Sequence, residues 1–254
     1  MKYTFGTDEA AAQRLGEIAR FFNPPAVDFI KEHVDGPVGS ALDLGCGPGH
    51  TTDMLSSAVD CPDAYGMDIS SKFIMMAAER FPLCTFIEHD VTKPPFPVRA
   101  EVMYVRFLLS HLHHVVDLVN VWTSQLKPGG RLLIEELERV DTEVPIFEEY
   151  LAVNEGLVAS KGASLYVGGL LADGEYDAGI LYNECVELPV PNHTVATWFL
   201  PNTLTVWEEE PYVLEKVSPD RRRAISGEIL RIKESGDKRV ANTWKMRRLV
   251  LQKR

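Results

Sequence analysis

The sequence predicts an α/β fold with a mostly parallel β-sheet and helices on both of its faces. From about residue 40 onward, short apolar runs alternate with amphipathic stretches, which is typical of strands joined by helical crossovers. Clear stop signals separate these stretches, and the strongest is Lys127-Pro128-Gly129-Gly130. The chain has 254 residues, enough for one large α/β domain.

Seven apolar runs have the length and residue types of β-strands. The predicted strands are Ala41 to Cys46, Ala64 to Ile69, Thr85 to His89, Glu101 to Phe107, Arg131 to Leu137, Asn183 to Val190 and Thr243 to Gln252. Helices are predicted between the first five strands at about 50–59, 71–80 and 115–127. These elements alternate in the order that a parallel sheet requires.

The flanking regions are predicted to be mainly helical. A helix from Asp8 to Phe22 should end at Asn23-Pro24-Pro25, because proline lacks the N–H that a helix interior needs, and a second helix should follow from Ala26 to His33. Further helices are predicted over Val144 to Lys161, Leu165 to Asp173 and Pro219 to Glu234, while Val195 to Trp207 is ambiguous.

Composition excludes several classes of partner. The formal net charge of −11 disfavours nucleic acid as a partner, and the basic runs at Arg221 to Arg223 and Lys245 to Arg254 are interleaved with apolar residues. No apolar segment has the length of a membrane span, and the N-terminus lacks the pattern of a signal peptide, so we expect a cytoplasmic protein without membrane contact. Monomer and homodimer are both compatible with the sequence.

The sequence offers no evident metal site. The four cysteines, Cys46, Cys61, Cys84 and Cys185, lack the spacing of metal ligands and are expected to be free thiols. We therefore predict no bound metal.

Three glycines at alternate positions follow the first strand, at Gly45, Gly47 and Gly49 in ALDLGCGPGHTTDML. A strand, a glycine-rich turn and a helix in this order form an arrangement that binds anions and nucleotides. The alternative is a tight turn without a ligand. The spacing fits neither a Walker loop nor the dinucleotide fingerprint, because the third glycine comes one residue early.

Acidic residues at the ends of the next two strands favour a nucleoside ligand. Asp68 ends the second strand, where a carboxylate can accept both hydroxyls of a ribose. Asp90 ends the third strand, where a carboxylate can accept an adenine amino proton while Val91 packs on the ring.

Five segments in this order resemble class I S-adenosylmethionine-dependent methyltransferases: ALDLGCGPGHTTDML, YGMDIS, TFIEHDVTKPPF, VMYVRFLLSHL and LKPGGRLLIEELE. The later segments YVGGLLADGEYDAGI and NTWKMRRLVLQKR resemble the small-molecule branch of that family. The resemblance implies a Rossmann-like sheet of seven strands, the last antiparallel, with a helical cap. It also implies one methyltransferase domain over residues 1–254, with N-terminal helices in 1–39, a cofactor-binding core in 40–139, and the cap with the last strands in 140–254.

The resemblance further implies S-adenosylmethionine as the cofactor. The residues that it assigns to the methionine portion and the loop are Asp43, Gly45, Cys46 and Gly47, with Arg14 as a weaker candidate for the cofactor carboxylate. Those that it assigns to the ribose, the adenine and the surroundings of the sulfonium are Asp68, Ile69, Asp90, Val91, Arg106 and Phe107.

His111 is the predicted catalytic residue. It lies in SHLHH, directly after the fourth strand, and an imidazole there could remove a proton from the acceptor. The alternative is that His111 only positions the substrate or satisfies a buried backbone group. His193, after the sixth predicted strand, is a second candidate.

Three glutamates end the fifth strand, at Glu135, Glu136 and Glu138. They could face the cleft and bind a cationic acceptor or a metal. We expect instead that they are solvated or paired with Arg106 and Arg139.

Residues 140–215 are rich in aromatic side chains. These predict either an apolar acceptor in a closed cavity or the internal core of the cap. The sequence thus favours methyl transfer to a small apolar or aromatic metabolite with a hydroxyl or amine acceptor. The alternatives are a catalytically silent S-adenosylmethionine-binding subunit of a larger complex and, less compatible with the glycine spacing, a nicotinamide-dependent dehydrogenase.

Overall fold

A seven-stranded sheet forms the centre of the computed structural model, which describes residues 6–254. The strands are β1 (Ala41–Leu44), β2 (Ala64–Asp68), β3 (Thr85–Glu88), β4 (Val102–Arg106), β5 (Arg131–Thr142), β6 (Gly179–Pro191) and β7 (Val240–Gln252). They lie in the order β3-β2-β1-β4-β5-β7-β6. Strands β1 to β5 pair in parallel, and β7 runs antiparallel to both β5 and β6. The predicted fold class, including the antiparallel last strand, is confirmed.

Helices cover both faces of this sheet. They are α1 (Glu9–His33), α2 (His50–Ala58), α3 (Ser71–Arg80), α4 (Val115–Gln125), α5 (Pro145–Ser160), α6 (Gly168–Ala172), α7 (Asn192–Leu204), α8 (Val206–Glu209), α9 (Pro211–Lys216) and α10 (Pro219–Ser235). Alternate side chains of a strand point to opposite faces, and β4 follows this rule. Met103 packs in one core cluster with α4 and α6, whereas Tyr104 packs in another with α1 and α2.

The prediction that Asn23-Pro24-Pro25 divides the N-terminal region into two helices is wrong, because α1 continues through all three residues. Proline in a helix interior costs about 3 kcal/mol or more. Tertiary contacts on both sides of the prolines offset that cost: Phe22 before them and Phe29 after them are buried. The Asn23 amide also donates to the His50 carbonyl at 3.3 Å.

The last three strands, β5, β6 and β7, are longer than the sequence predicts. β5 continues to Thr142, and its last residues pair with β7 beyond a register shift between Leu137 and Arg139. The added length lets β5 and β7 carry side chains above the sheet, into the cap. The predicted helix at Leu165 to Asp173 is confined to α6, and the ambiguous segment from Val195 to Trp207 is helical, in α7 and α8.

The cap consists of α5 and α7 to α10 above the carboxyl end of β5. Its centre is an aromatic stack in which the Tyr150 ring lies 3.9 Å from the Phe199 ring and 5.3 Å from the Trp207 ring. Phe147 and Trp207 are fully buried, so part of the aromatic content serves the internal core of the cap. Tyr150, Trp198 and Phe199 line a cavity.

Candidate active site

The glycine loop after β1 has a left-handed backbone at Gly45, Gly47 and Gly49, with φ of 69°, 51° and 89°. A Cβ on Gly45 would lie 2.7 Å from the Leu108 side chain, so packing within the protein excludes a side chain there. At Gly47 the nearest atom to such a Cβ is 3.6 Å away, on Leu15. Of the three glycines, Gly47 is therefore the one at which a Cβ would fit without an overlap.

Two buried carboxylates fix this loop. Asp43 accepts hydrogen bonds from the hydroxyls of Thr51 (2.6 Å) and Thr52 (2.8 Å), in the first turn of α2. Burial raises the pKa of Asp43 to about 7. Asp68 accepts from the backbone N–H of Gly47 at 2.9 Å and of Ser70 at 2.8 Å. Both acids thus hold the loop between β1 and α2 against the end of β2.

The residues predicted to surround an adenine lie at the ends of β2 and β3. Asp90 accepts from the N–H and hydroxyl of Thr92 and pairs with Lys93 at 3.2 Å. Burial opposes ionisation of Asp90, but these bonds outweigh it and lower its pKa. Val91 is buried, and Ile69 is half-buried.

A cavity of about 100 Å³, here called the loop cavity, lies between the glycine loop and α1. Gly47 and Pro48 of the loop and Arg14 of α1 line it. Arg106 and Phe107, the last residue of β4 and its successor, also line it. The structure thus brings together the glycine loop, Arg14 and the two residues predicted to surround the sulfonium.

Arg106 presents a buried hydrogen-bond donor at the loop cavity. Its Nη2 donates to the Asn23 side-chain oxygen at 2.7 Å, and its guanidinium lies about 6 Å from the ring centres of Phe22 and Phe107. Its Nη1 is buried and has no hydrogen-bond partner within residues 6–254. Asn23, whose sequence context suggested only a helix stop, is thus part of the site.

The backbone turns sharply after β4. Phe107 has a left-handed φ of 55°, and the N–H groups of Leu108 and Leu109 both donate to Glu136 Oε1, at 2.7 and 2.8 Å. Glu136 is fully buried at the end of β5, and burial raises its pKa to about 7. This carboxyl group holds the turn that presents Phe107 and leads into the 3₁₀ helix Leu109–His111.

The expected environment of the three glutamates is wrong. None of them pairs with Arg106 or Arg139 in the described part of the chain, and Glu135 and Glu136 are buried. Glu135 and Glu138 instead pair with arginines of β7, which lies beside β5 from Arg131 to Thr142. Glu135 pairs with Arg248 at 2.8 Å, and Glu138 pairs with Arg247 at 2.6 Å.

His111 ends the 3₁₀ helix and lies on the wall between two cavities. Burial lowers its pKa to about 4, and the positive charges of Arg14 and Lys161 act in the same direction. The imidazole is therefore neutral at neutral pH.

A second cavity of about 140 Å³, here called the aromatic cavity, lies between the sheet and the cap. Five aromatic side chains line it: Phe107, Tyr150, Trp198, Phe199 and Trp244. Polar lining groups come from the 3₁₀ helix and the cap: Ser110, His111, Asn154 and Asn202.

The two cavities adjoin. Arg14, Leu15, Ile18, Phe107 and His111 line both of them, so these residues form a common wall. No Asp or Glu of residues 6–254 lines the aromatic cavity, and Arg14 supplies its positive charge.

The remaining predictions concern His193, a metal site and contact with a membrane. The His193 ring nitrogen lies 3.1 Å from the Asp237 carbonyl oxygen, and His193 lines neither cavity. Over the described chain, no three His, Cys, Asp or Glu side chains are grouped as metal ligands. No helix in residues 6–254 is long and apolar enough to cross a membrane. The cytoplasmic location stays a prediction.

Sequence reasoning missed Asn23 and Trp244 as parts of the site, and it did not predict that Glu136 holds the turn after β4. The position of Glu136 between the apolar run Leu132–Ile134 and Leu137 was a signal, because a carboxylate is buried only with hydrogen-bond donors. For the aromatic residues no local signal separated cavity walls from cap core.

Known proteins resemble this chain in sequence and in fold. Residues 41–130 match the family described as "Methyltransferase domain". A trans-aconitate 2-methyltransferase of Yersinia pestis is 33% identical over 119 residues, which is 46% of this chain and 45% of that protein. One from Rhizobium meliloti is 27% identical over 128 residues, 50% of each chain. The chain matches about half the length of these curated relatives.

Solved structures share the fold at low identity. A coclaurine N-methyltransferase bound to N-methylheliamine and S-adenosylhomocysteine has a TM-score of 0.58 at 16% identity, covering 91% of this chain and 72% of that one. A cyclopropane synthase of Mycobacterium tuberculosis has a TM-score of 0.55 at 11% identity, covering 91% and 84%. Residues 41–130 therefore match a methyltransferase domain, and the solved structures confirm the predicted fold.

Proposed function

We propose that this protein transfers a methyl group from S-adenosylmethionine to a small, apolar or aromatic acceptor with a hydroxyl or amine group. The observation that carries the proposal is the pair of adjoining cavities. The loop cavity lies at the glycine turn, where class I folds bind nucleotides, and the aromatic cavity opens from the same wall.

The loop cavity fits the methionine portion of the cofactor. Gly47 leaves its backbone open to a ligand, and Arg106 offers a buried donor that suits a carboxylate. We propose that Asp68 holds the ribose and that Asp90 and Val91 flank the adenine, as the resemblance implies. When bound, S-adenosylmethionine supplies a methyl group on a positively charged sulfur, and the acceptor's lone pair displaces the neutral thioether.

The common wall positions the acceptor. Proximity and orientation supply most of the acceleration in such a displacement. A general base works best when its pKa lies near the operating pH, and the pKa of His111 is lowered to about 4. We therefore favour the positioning role of His111, as a neutral hydrogen-bonding partner of the acceptor, over the role of general base.

The named substrates of the relatives do not transfer directly to this chain. Trans-aconitate carries three carboxylates, whereas Arg14 is the cation that lines the aromatic cavity among residues 6–254. Burying charges without partners is costly. The aromatic walls and the single cation support a less charged and more apolar acceptor.

A transfer assay tests the proposal. The protein is incubated with methyl-tritiated S-adenosylmethionine and a panel of small phenols, carboxylic acids, alcohols and amines, and tritium is counted in the products after chromatography. We expect label in at least one acceptor, and strongly reduced label with Arg106→Met. Arg231→Met, which removes an exposed arginine from α10, is the matched control and should retain activity.

Two results would contradict the proposal. Absence of S-adenosylhomocysteine binding would exclude the cofactor site. Binding of S-adenosylhomocysteine without transfer to any acceptor, until a second protein is added, would favour a catalytically silent subunit.

A further inference from the structure

We infer that Trp244 selects the acceptor: its indole N–H donates a hydrogen bond to a carbonyl oxygen that the acceptor carries beside the group to be methylated. The inference rests on the proposed function and narrows its acceptor class. It is carried by a buried donor without a partner on the wall of the aromatic cavity, and by the rings that surround this donor.

The Trp244 side chain is buried and lines the aromatic cavity, with 8% of its surface exposed. Its Nε1 is buried and has no hydrogen-bond partner within residues 6–254. A buried indole N–H usually finds a partner, because leaving the bond unmade costs free energy. Since Trp244 lines a cavity, a ligand in that cavity is the partner that the fold leaves room for.

Two other tryptophans of this chain show the usual arrangement. Trp122 and Trp207 are fully buried in the protein core. The Trp122 Nε1 donates to the Val91 carbonyl at 2.8 Å, and the Trp207 Nε1 donates to the Asn154 side-chain oxygen at 3.4 Å. The fold thus supplies a protein oxygen to both core tryptophans and none to the one on the cavity wall.

Neighbouring rings hold the Trp244 indole in place. Its centre lies 5.2 Å from the Trp198 ring, edge to face, and 5.6 and 6.5 Å from the rings of Phe22 and Phe199. Phe107, on the common wall of the two cavities, is 6.4 Å away. Turning the indole toward a protein oxygen would disrupt this packing, so the donor stays beside the place where the two cavities adjoin.

The surroundings of this donor favour a carbonyl oxygen. An indole N–H only donates, so it suits an atom that only accepts. A hydroxyl group would bring a proton that the surrounding rings accept only weakly, and an ionised group would lose more hydration on entering. The carbonyl oxygen of a ketone, ester or amide meets the Trp244 N–H without either cost.

The carbonyl oxygen is distinct from the atom that is methylated. The indole N–H cannot take up the proton that a hydroxyl or amine releases, and a hydrogen bond donated to the nucleophile would withdraw electron density from its attacking lone pair. Trp244 is therefore a residue that orients the acceptor through a second polar group. Fixing orientation in this way contributes to the rate of a displacement.

Two probes of the same shape test the inference: acetophenone, which carries a carbonyl oxygen, and α-methylstyrene, in which a CH₂ group replaces that oxygen. Single-ring probes suit the cavity of about 140 Å³, since an apolar cavity of about 150 Å³ in a well-studied enzyme binds benzene. Binding is measured by isothermal titration to protein saturated with S-adenosylhomocysteine, so the readout does not depend on turnover. The ratio of the two affinities is compared between variants, because the difference in hydration of the probes then cancels.

Trp244→Phe keeps an aromatic ring and removes the N–H. We expect the affinity for acetophenone relative to α-methylstyrene to fall about tenfold in this variant. Phe199→Leu is the matched control, because it removes part of another buried ring of the same cavity and no donor. It should change both affinities alike and leave their ratio unchanged. Thermal melts of both variants confirm folding.

Nuclear magnetic resonance gives a second readout on the wild type alone. The indole N–H signals of Trp244 and Trp122 are assigned through their bonds to the backbone and followed as each probe is added to the S-adenosylhomocysteine complex. We expect acetophenone to move the Trp244 proton signal downfield of its position with α-methylstyrene, as a hydrogen bond to oxygen does. The Trp122 signal should stay in place, because its N–H already donates to Val91.

Any of three results overturns the inference: the same affinity ratio in wild type and Trp244→Phe, a Trp244 signal at the same position with both probes, or no binding of either probe. An unmoved signal would indicate that the face of a neighbouring ring accepts the N–H. The preceding titration with S-adenosylhomocysteine separates these outcomes from failure of the proposed function, because that failure appears before any probe is added.

Discussion

Replacing Glu136 tests the turn that connects the two cavities. The Glu136 carboxyl accepts from two buried backbone N–H groups, those of Leu108 and Leu109. In Glu136→Leu both donors lose their acceptor, and each unsatisfied buried donor costs about 1 to 3 kcal/mol. We expect this variant to lose about 2 to 6 kcal/mol of unfolding free energy and to bind acceptors poorly, because the turn presents His111.

Glu136→Gln keeps a side-chain oxygen that can accept from the Leu108 and Leu109 N–H groups, and it removes the ionisable carboxyl group. In the folded protein, burial raises the pKa of Glu136 from 4.5 to about 7. The folded state therefore holds a proton that the unfolded state releases between pH 4.5 and 7, and wild-type stability falls as the pH rises through this window. The full effect is about 3 kcal/mol.

The assay is urea unfolding at half-unit steps from pH 4.5 to 8. Relative to wild type, Glu136→Gln should gain about 3 kcal/mol between pH 4.5 and 7 and then stay level. Any fixed cost of the buried amide NH₂ does not depend on pH. Asp43, whose pKa is also raised to about 7, titrates in both proteins and cancels in the difference. A difference that is flat across the range would refute the reasoning.

Two further predictions concern the loop cavity. Gly45→Ala should lower the free energy of unfolding by at least about 2 kcal/mol more than Gly129→Ala does. Both positions have a left-handed φ, but only a Cβ at Gly45 would clash, at 2.7 Å from Leu108. Equal urea midpoints of the two variants would contradict this prediction. Asn23→Ala should weaken S-adenosylhomocysteine binding about tenfold in calorimetry, because it releases the Arg106 guanidinium; unchanged affinity would show that Arg106 needs no such support.

The central sheet could be predicted because local patterns determine it. The first four predicted strands match β1 to β4 to within two residues at each end, since each is an apolar run closed by a turn signal. The glycine loop and the acids Asp68, at the end of β2, and Asp90, just after β3, are predicted for the same reason. These residues lie close together along the chain. Crossovers between parallel strands are right-handed, and this rule determines where the strand ends come together in the fold.

Contacts between distant parts of the chain account for what the sequence did not predict. The continuity of α1 through Pro24 and Pro25 depends on packing against residues more than twenty positions away. The partners of Glu135 and Glu138 lie over a hundred positions away, on β7. Local propensity carries no information on such pairings.

The prediction for the three glutamates failed for a related reason. A strand that ends at solvent exposes its last side chains, and β5 was expected to end at Leu137. It continues to Thr142 because β7 pairs with it, so Glu135 and Glu136 lie in the buried middle of the strand.

Calorimetric titration with S-adenosylhomocysteine tests the central claim most directly, namely that the loop cavity is the cofactor site. The proteins to compare are wild type, Gly47→Ala and Gly129→Ala. Both substitutions introduce a Cβ at a glycine with a left-handed φ, and neither Cβ would come closer than 3.6 Å to a residue other than its chain neighbours. Only Gly47 lines the loop cavity. The account predicts saturable one-to-one binding by wild type and Gly129→Ala, and binding at least about tenfold weaker in Gly47→Ala. Absence of binding by wild type, or equal binding by all three proteins, would contradict it.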